Sequence, residues 1–204
     1  MVGMRLYVEG GGDSKFLRTS CREGFATFLN RAGLEGNMPR IVACGGRRQA
    51  YEDFCTALKQ GTRAAMLLVD SEDAIVGRSP WRHLLNRPGD HWESPPNATD
   101  DDCHLMVQCM ESWFLTDHAA LAAFFGQGFN PAKLPHSSRD VEAISKDSVY
   151  QALAESSGAC KTKAPYGKGE HSFKLLARID PHQVIAGSPR AAHFVTTLKA
   201  RMRG

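Results

Sequence analysis

Two short segments carry the residues best suited to chemistry. Val8-Glu9-Gly10-Gly11-Gly12-Asp13 ends an apolar run on a glutamate, and Leu67-Leu68-Val69-Asp70-Ser71-Glu72-Asp73 ends another on a group of acids. In an open parallel sheet the strand C-termini converge on one edge, and ligands bind in the crevice outside it. Glu9, Asp70, Glu72 and Asp73 are therefore expected on a common rim. Close carboxylates raise one another's pKa unless a cation offsets them. Oxygen donors without His or Cys suit Mg²⁺ or Mn²⁺, which keep positions open for water and substrate phosphates. This is equipment for phosphoryl transfer. The competing reading is that Glu9, Asp13 and Asp70 only cap turns and helices.

The elements that must position these acids follow from periodicity. Arg5 to Val8 is a strand candidate. Phe16, Leu17, Cys21, Phe25, Phe28 and Leu29 then recur at helical spacing after Asp13 or Ser14 as N-cap, so the glycines form a strand-to-helix turn. Arg40 to Cys44, the Gly45-Gly46 turn and a helix over Gln49 to Gln60 repeat the unit. Ala64 to Val69 has no polar alternation, as expected of a strand covered on both faces. Cys103 to Cys109 reads as a fourth strand and Glu111 to Phe125 as a helix. Further helices are expected near Asp147 to Ser156, His171 to Ile179 and Pro189 to Arg203. The pattern predicts an α/β fold: an open, mostly parallel sheet of about four strands flanked by helices. Residues 1–125 would form the core, with an irregular insertion at about 74–102, and residues 126–204 a helical extension packed on the same domain.

Composition narrows the function classes. The chain has 204 residues, 42% hydrophobic and 23% charged, enough for a sizeable core without disulfides. The apolar runs Ala64 to Val69 and Ala119 to Phe125 fall far short of the roughly 20 residues of a membrane span. With no basic, apolar leader after Met1, a cytoplasmic protein is expected. Six cysteines without a C-x-x-C pair favour buried thiols, and eight histidines lack zinc-site spacing. The net charge is only +3, but it is uneven. Ten acids face three arginines between Asp70 and Asp117, whereas from Lys161 onward nine Lys or Arg face Glu170 and Asp180. That fits a metal-attracting centre beside a face for a polyanion, and equally two solvated faces.

The two acidic segments resemble the paired signatures of the Toprim domain, found in topoisomerases, bacterial primases, recombination mediators and overcoming-lysogenization-defect (OLD) nucleases. More closely, the chain is similar to domain-of-unknown-function family 4276. The likeness rests on this start, on Gly45-Gly46-Arg47-Arg48, on Met110-Glu111-Ser112-Trp113-Phe114-Leu115 and on Tyr166-Gly167-Lys168-Gly169-x-His171-Ser172-Phe173. The resemblance implies a Toprim-like sheet and Mg²⁺ chemistry on DNA or RNA. Glu9 would be general base or metal ligand, and Asp70 the first aspartate of the D-x-D signature. Glu72 stands at the second signature position with Asp73 beside it, so either completes the metal site. The resemblance also implies an ABC- or AAA-type ATPase partner in a phage-defence setting.

On that reading Lys168, between glycines, would balance charge on the phosphate, and Arg47 and Arg48 would clamp substrate. The arginines read equally as a solvated pair, and the glycines as marking only a turn. His171 is a further substrate-binding candidate, and Asp13 and Glu111 are placed behind the metal ligands. Glu111 reads alternatively as complementing a helix dipole. Two other functions stay open. One is a non-catalytic module binding nucleic acid or an ATPase. The other is a phosphotransfer domain phosphorylated on Asp70 or Asp13. No G-x-x-x-x-G-K-[ST] exists, which argues against a P-loop enzyme.

Overall fold

A computed structural model describes residues 3–62, 64–135 and 140–203. Four strands, β1 (Arg5–Gly11), β2 (Arg40–Gly45), β3 (Ala65–Asp70) and β4 (Cys103–Met106), form one sheet in the order β2-β1-β3-β4. All pairings are parallel, so the expected α/β sheet of four strands is present and no strand in it runs antiparallel. Helix α1 (Lys15–Leu29) crosses from β1 to β2, and α2 (Arg47–Lys59) from β2 to β3. The register sets Val8 opposite Leu68 and Asp70 opposite Met106. Glu9 therefore stands level with the end of β3.

Alternation along the strands divides the core into two layers. Leu6, Val8, Met66, Leu68 and Met106 face one side with Phe25 and Phe28 of α1, whereas Tyr7, Leu67, Val69 and Leu105 face α2 with Phe54. β3 is buried at every position, as its unbroken apolar sequence predicts. The chain after β4 adds α4 (His118–Phe125), α5 (Lys146–Ser157), α6 (Ser172–Leu176), α7 (Pro181–Gly187) and α8 (Pro189–Arg203). Their apolar residues, among them Leu153, Leu176, Val184 and Phe194, join the α1 side of the same core. No helix among the described residues is long and apolar enough to cross a membrane.

Several local expectations are refined. β1 runs through Glu9 to Gly11, because two glycines bulge against the single Gly45 of β2. A side chain at Gly45 would place Cβ 2.6 Å from the Gly12 carbonyl oxygen, and one at Gly11 2.7 Å from Arg18 Cα. Both turns thus need glycine to bring β1, β2 and α1 together at the rim. The stretch expected as one helix from Glu111 is a 3₁₀ helix (Met110–Thr116) and then α4, because the Asp117 carboxylate caps Ala120 and interrupts the run. The insertion at 74–102 is not wholly irregular. It holds α3 (Pro80–Asn86), capped by Ser79, and buries Trp81 and Trp92 against α2. In the run Asp100 to Asp102, Asp100 accepts from Ser79 Oγ, Asp101 stays exposed 3.3 Å from His193, and the buried Asp102 accepts from Thr99 and pairs with Arg201.

His104, on the α1 face of β4, is buried against Phe194 and His193, with Nε2 at 3.2 Å from the Asp101 carbonyl. Burial, aided by His193, lowers its pKa from 6.5 to about 4. Between those values the unfolded chain binds the proton that the folded chain refuses. His104 therefore contributes stability in full above pH 6.5, and this is lost as pH falls toward 4, by roughly 3 kcal/mol. We expect the His104 ring resonances to stay in the neutral position down to pH 5, and the acid-side stability loss to shrink in His104→Gln. A His104 titration midpoint near 6.5 would contradict this.

Candidate active site

The ends of β1 and β3 bring three carboxylates together. Ligand oxygens of Glu9, Asp70 and Glu72 all lie within 4.8 Å of one another. Glu9 Oε2 accepts a hydrogen bond from the Asp70 backbone N–H at 3.0 Å, which fixes the first acid to the strand bearing the second. Asp70 is only 3% exposed, and its Oδ1 accepts from the Met110 N–H at 2.8 Å. Glu72 has φ of +69°, a left-handed conformation that is uncommon and costly outside glycine. It is held there by its N–H on the Gln108 carbonyl at 2.8 Å.

Charge in this corner is out of balance. Burial, with Glu9 and Glu111 nearby, pushes the Asp70 carboxyl well above the usual carboxylate range. Burial likewise raises Glu9, partly opposed by the Asp70 N–H and by Arg47. Lys146, at the start of α5, pairs with the Glu72 carboxylate, while its N–H donates to Gln108 Oε1 at 3.2 Å. Gln108 thus positions both members of that ion pair. Lys168 lowers both Asp70 and Glu9 electrostatically from the loop before α6, with Nζ 5.5 Å from the centre of the Tyr150 ring. An all-oxygen set of three acids, one of them buried and short of positive charge, fits a hard divalent cation such as Mg²⁺ or Mn²⁺.

The remaining predicted residues separate into groups. Asp73 points out of the cluster: its carboxylate, 63% exposed, meets Arg87 Nε at 2.8 Å. Glu72 is the second acid of the trio. Arg47 lies within electrostatic reach of Glu9, but its Nη2 is tied to Asp90 at 2.7 Å and its guanidinium sits 4.6 Å over Trp92. Arg48 is exposed on the outer side of α2 and pairs with Glu52. Asp13 is fully exposed, 3.8 Å from Arg18. His171 is buried among Phe124, Phe125 and Tyr166, and its Nδ1 accepts from the Gly167 N–H at 3.1 Å, so it shapes the Lys168 loop from behind.

Glu111 does more than complement a helix dipole. It is 1% exposed, and its carboxylate accepts from the hydroxyls of Tyr150 (3.1 Å), Tyr166 (3.0 Å) and Ser172 (3.1 Å). Ser172 Oγ in turn accepts from the Gly169 N–H at 3.2 Å, so the network fixes the turn that carries Lys168. Lys146, Gln108, Tyr150 and Tyr166 had not been singled out from sequence. Only Tyr166 carried a signal, in the Tyr166-Gly167-Lys168-Gly169 stretch.

Beside the carboxylates opens a cavity of about 270 Å³. Glu9, Asp70, Glu111 and Lys168 line its polar end. Leu17, Met106, Met110, Phe173 and the Gly10 to Gly12 backbone line the rest.

A model of a protein family described as Domain of unknown function (DUF4276) matches residues 8–199, from the first site strand to α8. No curated protein and no solved structure matches the chain.

Asp70 supplies a direct check on the electrostatics. Folded Asp70 and Glu9 hold protons that the unfolded chain releases. Their charging therefore costs no stability below the ordinary carboxylate range, and stability falls as pH rises through their raised values. Asp70→Asn keeps an Oδ1 acceptor for Met110 and removes one charge. In EDTA at neutral pH it should raise Tm by a few degrees, while losing the Tm increase that Mn²⁺ gives the wild type. A lower Tm in EDTA, or an undiminished Mn²⁺ increment, would contradict this account.

Proposed function

For this chain, which belongs to the DUF4276 family, we propose a Toprim-type, Mg²⁺-dependent nuclease that cleaves DNA or RNA phosphodiesters. The observation that carries the reading is the trio Glu9, Asp70 and Glu72 at adjacent parallel strand ends, with Lys168 across the same cavity. The three acids would hold Mg²⁺ or Mn²⁺. When bound, the ion neutralises the scissile phosphate and lowers the pKa of water.

The chain's own residues divide the remaining work. Glu9 Oε2 is engaged by the Asp70 N–H, which leaves Oε1 to take the metal or to act as general base toward attacking water. Lys168 balances negative charge on the phosphate oxygens. Asp70, immobilised by Met110, fixes the site to the sheet. An ATPase partner that restrains or triggers the activity belongs to this proposal on family resemblance, as does a phage-defence role.

One observation favours a second reading. The Lys146 ammonium already pairs with Glu72, as in a site whose positive charge is built in. On that reading the protein is a non-catalytic module that binds nucleic acid or an ATPase.

The two readings separate in a cleavage assay on plasmid, single-stranded DNA and tRNA with Mg²⁺ or Mn²⁺. The nuclease reading expects cleavage that EDTA abolishes and that Glu9→Ala and Asp70→Ala reduce by at least about 10². Salt-dependent binding without turnover, indifferent to Glu9→Ala, selects the module. Equal cleavage by all three proteins would remove the carboxylates from the account.

A further inference from the structure

The acids of the site are recessed, and the space beside them is mostly apolar. Asp70 is 3% exposed, so a phosphate reaching it must enter the crevice rather than rest on the rim. From that point the cavity runs over Leu17, Met110 and Phe173 and the backbone of Gly10 to Gly12. An apolar slot continuous with a phosphate-handling corner suits a flat heteroaromatic ring joined to that phosphate. Gly10 packs tightly against the wall of the slot: a Cβ there would stand 2.9 Å from the Phe173 ring and 3.0 Å from Cys21 Sγ. In the first turn of α1, one residue before the slot-lining Leu17, Phe16 is 70% exposed, more than any other Phe, Tyr or Trp among the described residues. Helical side chains lean toward the helix N-terminus, and that end of α1 faces the rim.

We propose that this slot takes an unstacked nucleobase, with Phe16 at its lip as a stacking surface, so that the substrate is single-stranded DNA or RNA. The inference rests on the nuclease reading and names its substrate class. A base inside a duplex is stacked on both faces and cannot enter without being extruded, which costs a few kcal/mol. In a single strand that cost is largely absent, and stacking on an aromatic face adds affinity whatever the base.

The test is fluorescence anisotropy with labelled oligothymidylate, the matching dT·dA duplex and thymidine 5′-monophosphate, all with Ca²⁺ in place of Mg²⁺ to limit cleavage. The expected result is tighter binding of the single strand than of either alternative. Leu17→Trp, which fills the slot, and Phe16→Ala, at an exposed position that folding does not need, should each weaken that binding by about tenfold. Calorimetric Mn²⁺ affinity should stay unchanged in both. Duplex bound as tightly as single strand, or single-strand binding unaffected by both variants, overturns the slot and leaves the nuclease reading standing. Mononucleotide bound as tightly as the strand makes this a free-nucleotide site and overturns the single-strand assignment. No binding of any nucleic acid by protein that still takes up Mn²⁺ overturns both.

Discussion

The structure turns on a carboxylate almost wholly removed from water. Asp70 ends a strand buried at every position, and it has Glu9, Glu72 and Glu111 for neighbours. Removing a charge from water is costly unless hydrogen bonds and opposite charge replace the hydration. Here the replacements are the Met110 N–H, Lys168 and Lys146, and they leave the carboxyl still well above its ordinary pKa. A fold that keeps so unfavourable a group at the end of a fully buried strand retains it against a stability cost. A divalent cation would turn that cost into binding energy.

The rest of the architecture serves this corner. The parallel register puts Glu9 beside Asp70, the glycine bulge at Gly10 and Gly11 lets β1 and β2 close on α1, and Gln108 holds Glu72 and Lys146 in place. Behind them Glu111 collects three hydroxyl donors and anchors the Lys168 turn through Ser172. Elements from α5 and the loop before α6 thus bring positive charge to a negative rim supplied by β1 and β3. The helical C-terminal part completes the site as well as the core.

Much of the fold was legible because its signals are local. The unbroken apolar run of β3, the glycine turns and the helical spacing of α1 each specify an element within a dozen residues. Glu9 and Asp70 could be placed together because strand ends in a parallel sheet must converge. Glu72 could not be separated from Asp73, since the choice depends on Arg87 drawing Asp73 away and Gln108 holding Glu72 in a left-handed conformation. Lys146 was invisible for a similar reason: a lone lysine at a helix start has no local mark of a partner 74 residues earlier in sequence. Arg47, legible as a phosphate clamp, is held by Asp90 and Trp92 from the insertion. The insertion's two buried tryptophans show that it packs as part of the α2 layer.

The central claim is that Glu9, Asp70 and Glu72 form one metal site, with Lys146 as the counter-ion that Glu72 gives up. The most direct measurement is an anomalous difference map from crystals soaked in Mn²⁺. The account predicts a peak between the three carboxylates at direct coordination distance, with Glu72 turned from Lys146 toward it. A map with no peak in that corner, and Lys146 still paired with Glu72, would contradict it.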